Sequence, residues 1–435
     1  MGRYFRTTGK SIDQTEPEIR TQAVQVFIIG SKSIGQYGGF ETFVDKLTEY
    51  HQKNQGIQYH IACKANGTGC MDETKLHGIV YLGKKDGSSV MEFLYRNIHV
   101  FKLKVPDIGS AVAIWYDVAA MQYSIRYCKD HKIVNPVFYV LASRIGPFIG
   151  HFKRQIVKLG GKLYLNPDGN EWKRAKWSVP IKWYWKKSEK WMVKHSDLIV
   201  CDSLNVEKYI KNEYIKFTPR TVYIAYGADM VKSRLSNSDF KYRKWLESRR
   251  LKPGEYYLVV GRFVPENNFE TIIREFMKSC SEHKLVIITD KNQKLFGQLE
   301  RKLQFQADER IIFAGTVYDK ELLKKIRENA LGYFHGHEVG GTNPSLLEAL
   351  ESTEVNLLLD VRFNREVGED AVLYWKKEPG NLKLLIEAVE KMSVGERHAF
   401  GEKAVERIKK AYRWQFIADQ YEELWSESRK SCSGQ

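Results

Sequence analysis

Short apolar runs separated by glycine turns and amphipathic stretches recur along the whole chain. Ala23–Ile29 is a β-branched run followed by a Gly-rich turn, and the next stretch places Phe43, Leu47 and Tyr50 at helical spacing, which predicts strand, loop and helix. Further apolar runs at Tyr59–Cys63, Ala111–Trp115, Val137–Leu141, Lys162–Leu165 and Leu198–Cys201 alternate with helical or basic stretches, as a parallel sheet requires. After Tyr226-Gly227-Ala228-Asp229 a second series begins, with runs at Tyr256–Gly261, Leu285–Thr289, Ile311–Ala314, Gly332–His335 and Asn356–Leu359. The pattern predicts an α/β chain of two Rossmann-like, doubly wound parallel-sheet domains facing each other across a cleft. The expected divisions are a flexible extension over 1–22, a first domain over 23–225, a second over 226–403, and a closing segment over 404–435.

Length supports this division, because 435 residues exceed what one hydrophobic core usually holds. The longest apolar runs are interrupted by Asp117 and Arg144 and fall short of the ~20 residues a spanning helix needs, so none is expected. The polar first residues carry no apolar signal core, which predicts a cytosolic protein. Six cysteines without C-x-x-C spacing predict reduced thiols, Cys63 and Cys70 being the nearest pair. A formal charge of +16 calls for an anionic partner, which composition alone leaves as nucleic acid, a phosphorylated substrate or an acidic membrane surface.

The chemistry concentrates in Tyr333-Phe-His-Gly-His-Glu-Val-Gly-Gly-Thr-Asn-Pro-Ser-Leu-Leu-Glu348. Gly340, Gly341 and Thr342 open a helix with backbone N–H groups unobstructed by bulky side chains, and the helix dipole favours an anion there. Glu348 lies far enough along to accept from a sugar hydroxyl, so the stretch predicts a nucleotide-sugar site. Gly35, Gly38 and Gly39 follow the first strand, where a loop can approach a diphosphate; a ligand-free tight turn fits as well. Their spacing is not G-x-G-x-x-G, which disfavours a dinucleotide enzyme. His335 and His337 are expected as loop or core histidines as readily as ligand contacts. No D-x-D pair occurs, so no metal is expected.

Asp168-Gly169 ends a strand that should point into the cleft, followed by Glu171 and Arg174; Asp168 is the candidate acceptor-orienting carboxylate, and a plain Asp-Gly turn explains it nearly as well. From Trp172 to Lys194 five of the ten tryptophans interleave with lysines, Trp183 and Trp185 beside Lys186, Lys187 and Lys190. Rings with snorkelling lysines suit an anionic membrane surface, single-stranded RNA fits the same composition, and a helix with inward rings and solvated lysines accounts for part of it.

The donor stretch, the segment Val26-Phe-Ile-Ile-Gly-Ser-Lys-Ser-Ile-Gly-Gln-Tyr-Gly-Gly-Phe-Glu-Thr-Phe-Val44 and Asn166-Pro-Asp-Gly-Asn-Glu-Trp-Lys-Arg-Ala-Lys-Trp177 together resemble the retaining glycosyltransferases of family 4, with GT-B architecture. Within that family they resemble the bacterial rhamnosyltransferases of capsule and exopolysaccharide assembly. The resemblance implies a donor site of Gly38, Gly39, Arg262, Asn267, Gly340, Gly341, Thr342, Asn343, Ser345 and Glu348, with Arg262, Asp168 and Glu338 in catalytic roles. It also implies a last helix that returns to the first domain. Two departures stand out. Asn267 occupies the place of the lysine that partners the diphosphate-clamping arginine, leaving Lys291 or another lysine to assist. The family's E-x7-E pair is absent, Glu338 standing ten residues before Glu348.

The expected function is therefore transfer of a hexosyl group, L-rhamnose from dTDP-L-rhamnose, to a lipid-diphosphate-linked saccharide. The expected setting is the cytoplasmic face of the membrane, with a nucleotide sugar as co-substrate and no cofactor, metal or nucleic acid. A UDP-sugar-dependent hexosyltransferase is the first alternative, and a non-catalytic polyanion- or RNA-binding protein on a GT-B scaffold the second.

Overall fold

A computed structural model describes residues 23–36, 38–82, 90–174, 177–290 and 292–430. The extension expected over 1–22 lies outside the described residues. The strands are β1 (Val24–Ile29), β2 (Ile57–Lys64), β3 (Val80–Tyr81), β4 (Met91–Tyr95), β5 (Ile98–Leu103), β6 (Val137–Leu141), β7 (Lys162–Asn166), β8 (Leu198–Cys201), β9 (Thr221–Tyr223), β10 (Tyr256–Val260), β11 (Lys284–Ile288), β12 (Ile311–Phe313), β13 (Gly332–His335), β14 (Asn356–Leu359) and β15 (Leu373–Trp375). The first nine belong to one sheet and the last six to a second. By its contacts the chain separates into two compact units. One holds the residues up to Tyr139, Gln155–Lys162 and the segment from Trp425; the other holds Val140–Arg154 and Leu163–Leu424.

In the first unit β1, β2 and β5 run parallel, with Val24 opposite Ile57 and His60 opposite His99. β4 is antiparallel to β5, and β3 to β4, so this edge of the sheet is mixed. Arg96 and Asn97, at φ 49° and 64°, make the turn between β4 and β5, both left-handed as a two-residue hairpin with right-handed strand twist demands. Ala111–Trp115, expected as a strand, instead leads into the helix Val112–Asp130. The helix wins because Tyr116, Ala120, Tyr123 and Tyr127 recur at three- and four-residue spacing and are all buried, a period a strand cannot present to one core. In the last helix, Trp414–Lys430, fully buried Trp425 donates from Nε1 to Tyr59 Oη at 2.9 Å and meets the Tyr139 ring edge-on.

In the second unit the last six strands run in the order β12-β11-β10-β13-β14-β15, every pair parallel. Both faces of this sheet are covered, which explains why its strands are continuous apolar runs. Tyr257 and Val259 point toward one core with Phe276, Phe334 and Trp375, while Tyr256 and Leu258 point toward the other with Trp245, Ile326 and Tyr333. β10 sits between β11 and β13, so strand order reverses there, and the loops leaving β10 and β13 diverge at the point where open α/β sheets bind ligands.

Candidate functional site

The loops after β10 and β13 are laced together by side-chain amides. Asn267 donates from Nδ2 to the Arg262 carbonyl at 2.7 Å, and its Oδ1 lies 2.7 Å from His337 Nδ1. Because the amide nitrogen already donates, Oδ1 accepts, which puts the His337 proton on Nδ1. Asn268, left-handed at φ 54°, donates from Nδ2 to the Gly336 carbonyl at 2.8 Å. Gly336 must be glycine: a Cβ there would lie 2.2 Å from the Asn267 carbonyl oxygen. Asn267 is thus a strut between the loops, which is the work it does in place of a lysine.

Two guanidinium charges act on the same ring. Burial, then the charges of Arg174 and Arg262, push the His337 imidazolium down to about 4, the Glu266 charge and a Val339 carbonyl opposing, so this histidine is neutral at physiological pH. Arg262 is exposed. Arg174 is held by Glu171 and lies 4.0 Å from Asp168 Oδ2, while Glu171 also accepts from Trp177 Nε1 at 2.9 Å. The second cation acting on His337 is therefore an arginine from the segment after β7. Lys291 lies outside the described residues.

The glycines of the β13 loop fit against protein as tightly as they could fit a ligand. A Cβ on Gly169 would strike Gly340 Cα at 2.2 Å, and one on Gly341 would strike Asp202 Oδ1 at 2.1 Å. Thr342 donates its hydroxyl to the Asp202 carbonyl. Asn343 caps the helix Pro344–Ser352, its Oδ1 accepting from Ser345 N at 2.9 Å and its carbonyl from Leu346 N and Leu347 N. Among the described residues the N–H groups of Gly340, Gly341 and Thr342 have no acceptor. The Thr342 and Asn343 side chains both hold the loop, and the loop's own amides are what it can offer an anion.

Glu348, one-third exposed, pairs with Arg327 Nη1 at 2.7 Å, and Arg327 Nη2 reaches Ser345 Oγ at 3.2 Å. Ser345 Oγ also lies 3.2 Å from Tyr333 Oη. Glu338, expected either to touch the donor sugar or, nearly as readily, to form a loop salt bridge, pairs with Lys377, and its N–H donates to the Glu266 carbonyl at 3.1 Å. Asp168, at φ 58°, accepts from Gly169 N at 2.8 Å on Oδ1, so the Asp-Gly turn is real and the second oxygen faces Arg174.

Three side chains of this framework escaped the sequence. Asp202 is buried with Oδ1 unpartnered among the described residues, and burial, reinforced by Asp168 and Glu366, pushes its carboxyl well above the usual carboxylate range. Glu366, from the helix Arg362–Gly368, accepts from Leu204 N at 2.7 Å and Ser203 Oγ at 2.8 Å, a carboxylate at the N-terminus of the helix Leu204–Glu213. Arg327 left one signal: it shares the buried face of Lys320–Glu328 with Leu323 and Ile326, where a charge needs a partner.

In the first unit Glu41 folds back on its own loop, accepting from Lys32 N at 3.0 Å, and a Cβ on Gly38 would strike Glu41 Oε2 at 2.1 Å. Gly39, the first residue of the following helix, has open space around its missing Cβ.

The Trp172–Lys194 stretch divides into two faces. Lys186 pairs with Glu213 at 2.7 Å and sits over the Trp172, Tyr209 and Tyr214 rings, while buried Glu189 accepts from the Tyr209 and Tyr214 hydroxyls. Trp185 is half-buried against Trp177. Lys186 is therefore an internal partner and not part of an open basic surface. Trp183 at 61% exposure, Lys187 and Lys190 face outward.

Among the described residues no three His, Cys, Asp or Glu side chains are grouped to hold a metal ion, and no helix is long and apolar enough to cross a membrane.

A family model described as a domain of unknown function, DUF1972, matches residues 23–229. No curated protein sequence matches the chain. Among solved structures, sucrose-phosphate synthase (tll1590) from Thermosynechococcus elongatus superposes with a TM-score of 0.73 at 14% identity, over 94% of this chain and 100% of that one. The catalytic domain of starch synthase IV from Arabidopsis thaliana bound to ADP and acarbose gives 0.69 at 12% identity, over 93% and 99%. Anabaena Alr3699/HepE in complex with UDP gives 0.64 at 12% identity, over 93% and 100%. The fold is GT-B, two parallel-sheet Rossmann-like domains.

Proposed function

We propose that this chain is a retaining glycosyltransferase that transfers a hexosyl group from a nucleotide sugar, L-rhamnose from dTDP-L-rhamnose, to a lipid-diphosphate-linked saccharide in bacterial surface-polysaccharide synthesis, at the inner face of the membrane. The observation that carries the transferase reading is the row of open amides at Gly340–Thr342 in the same loop as neutral His337, on which the charges of Arg174 and Arg262 both act. Two guanidinium groups and a row of N–H donors suit a leaving diphosphate, since charge that develops on departure is stabilised by donors fixed beforehand. A second arginine also supplies the charge that Asn267 cannot. Glu348, oriented by Arg327, retains a free oxygen for a ribose hydroxyl, and Asp168 is the carboxylate available to orient an acceptor. The rhamnosyl donor, the lipid-linked acceptor and the membrane setting rest on the motif resemblance.

A UDP-sugar donor is the second reading, favoured by the likeness in fold to Anabaena Alr3699/HepE, whose structure is a complex with UDP. Incubating the protein with dTDP-L-rhamnose, UDP-glucose and related nucleotide sugars and following nucleotide release decides between them. Release from dTDP-L-rhamnose alone supports the first reading, release from a UDP-sugar alone the second. No release, with retention of RNA or another polyanion, returns the non-catalytic alternative.

A further inference from the structure

Next to the donor loop the second unit holds a cavity of about 740 Å³. Its walls come from Gly340 and Val339 of the β13 loop, Asn170 and Lys173 after β7, the helix Leu204–Glu213, and residues Asp360–Arg365 after β14. The volume is within the ~300–1,000 Å³ of ordinary ligand sites.

Its charges are unevenly matched. The three carboxylates on its walls are each engaged: Glu213 by Lys186 at 2.7 Å, Asp360 by Arg365 at 2.8 Å, and Glu338 by Lys377. Three cations on the same walls, Lys173, Lys208 and Arg362, make no ion pair among the described residues. Lys173 instead lies over the Trp172 and Tyr209 rings at 5.2 and 5.8 Å. The cavity is thus net positive where it is open, with the Tyr209 and Phe363 rings among its apolar walls. Unmatched cations on a concave wall attract an anion more strongly than the same cations on a convex surface, because low-dielectric walls focus their field. Rings beside charge suit a sugar attached to that anion.

We infer that this cavity binds the phosphorylated end of the acceptor, a saccharide diphosphate, with Lys173, Lys208 and Arg362 as its anion-binding residues. The inference rests on the glycosyltransferase reading above and adds an acceptor seat to it. Gly340 is the shared wall: it lines the cavity and also lies beside His337, a Cβ on it falling 3.2 Å from Nε2. An acceptor anchored by its diphosphate in the cavity would present a sugar hydroxyl toward that loop.

The test is calorimetry on the full chain with citronellyl-diphosphate-linked N-acetylglucosamine and with inorganic pyrophosphate, in the presence and absence of saturating dTDP and of UDP. Wild type should bind the saccharide probe with the nucleotide already bound, and more tightly than pyrophosphate. The double variant Lys208→Glu, Arg362→Glu should weaken the probe about tenfold or more while nucleotide affinity stays within about twofold, with the deficit shrinking at high salt. If the double variant melts early, Lys208→Gln alone should still weaken the probe. Probe affinity unchanged by the variants, no probe binding to wild type, or equal loss of nucleotide affinity would each overturn the inference, the last by making the cavity a nucleotide seat. If neither nucleotide binds but cavity-dependent probe binding persists, the transferase reading fails while the anion site stands.

Discussion

The β13 loop and the Trp172–Lys194 stretch both announce themselves by unusual residues, yet the structure uses them in opposite ways. In the loop the conspicuous side chains are engaged within the protein: Thr342 holds Asp202, Asn343 caps its helix, Ser345 meets Arg327 and Tyr333, and Glu338 pairs with Lys377. What is left for a ligand is backbone N–H and the guanidinium groups nearby. In the Trp and Lys stretch one face is internal, around Lys186 and Glu189, and the other keeps Trp183, Lys187 and Lys190 outward. A motif's named residues are therefore not its ligand contacts by default; each needs its own hydrogen-bond partners traced.

The outward face of the Trp and Lys stretch is open to a direct test. Reversing Lys187 and Lys190 to Glu should weaken sedimentation with anionic vesicles by on the order of 2 kcal/mol from the two lost lysines alone, at unchanged thermal stability. Lys186→Glu should lower the melting temperature instead, because it sets a carboxylate beside buried Glu189. Equal pelleting of wild type and the Lys187, Lys190 double variant, or preference for RNA over vesicles, would remove the membrane contact.

The loop's inward side chains should behave as structure. Asn343→Ala is expected to cost about 1 kcal/mol of stability by removing a helix cap, with nucleotide affinity kept in the folded protein. A large loss of affinity without a loss of stability would restore Asn343 as a ligand contact.

A pH-dependent effect comes from His335. Burial, then the neighbouring His337, pushes its imidazolium down to about 3, so the native protein stays neutral where the unfolded chain takes up a proton below the ordinary 6.5. The unfolded state then binds more protons, and stability falls as pH drops from about 6.5 toward 3. Between pH 7 and pH 5 the melting temperature of wild type should fall more than that of His335→Gln. Equal slopes would show that this histidine does not set the acid limb.

The smallest expected effect is none: turnover should be unchanged in excess chelator, because arginines and loop amides supply the electrostatics. Activity lost to EDTA and restored by magnesium or manganese would reject metal independence.

Much of the second sheet was legible because strands buried on both faces are continuous apolar runs bounded by glycine, as at Tyr256–Gly261 and Gly332–His335. The same rule misled at Ala111–Trp115, where a short apolar run fits a helix equally and only the later spacing of Tyr116, Ala120 and Tyr123 decides. The β4–β5 hairpin was missed although Arg96-Asn97 between alternating residues was there to be seen. Arg262 could be found from its position after a strand. Arg174 and Asp202 could not be placed: each acts on the β13 loop from a distant part of the chain, and sequence spacing carries no information about such an approach. Glycines were legible as close approaches, but not whether the approaching group was a phosphate or Asp202.

The central claim is that Arg262 and Arg174 seat the leaving diphosphate beside His337. Its most direct test is turnover, with calorimetric affinity for dTDP and UDP, in wild type, Arg262→Ala, Arg262→Lys and Arg174→Ala, each checked for folding. Arg262→Ala should lower turnover by about two to three orders of magnitude, Arg262→Lys should recover part, and Arg174→Ala should weaken nucleotide binding by about tenfold. Near-normal turnover and unchanged nucleotide affinity in folded Arg262→Ala and Arg174→Ala would contradict it.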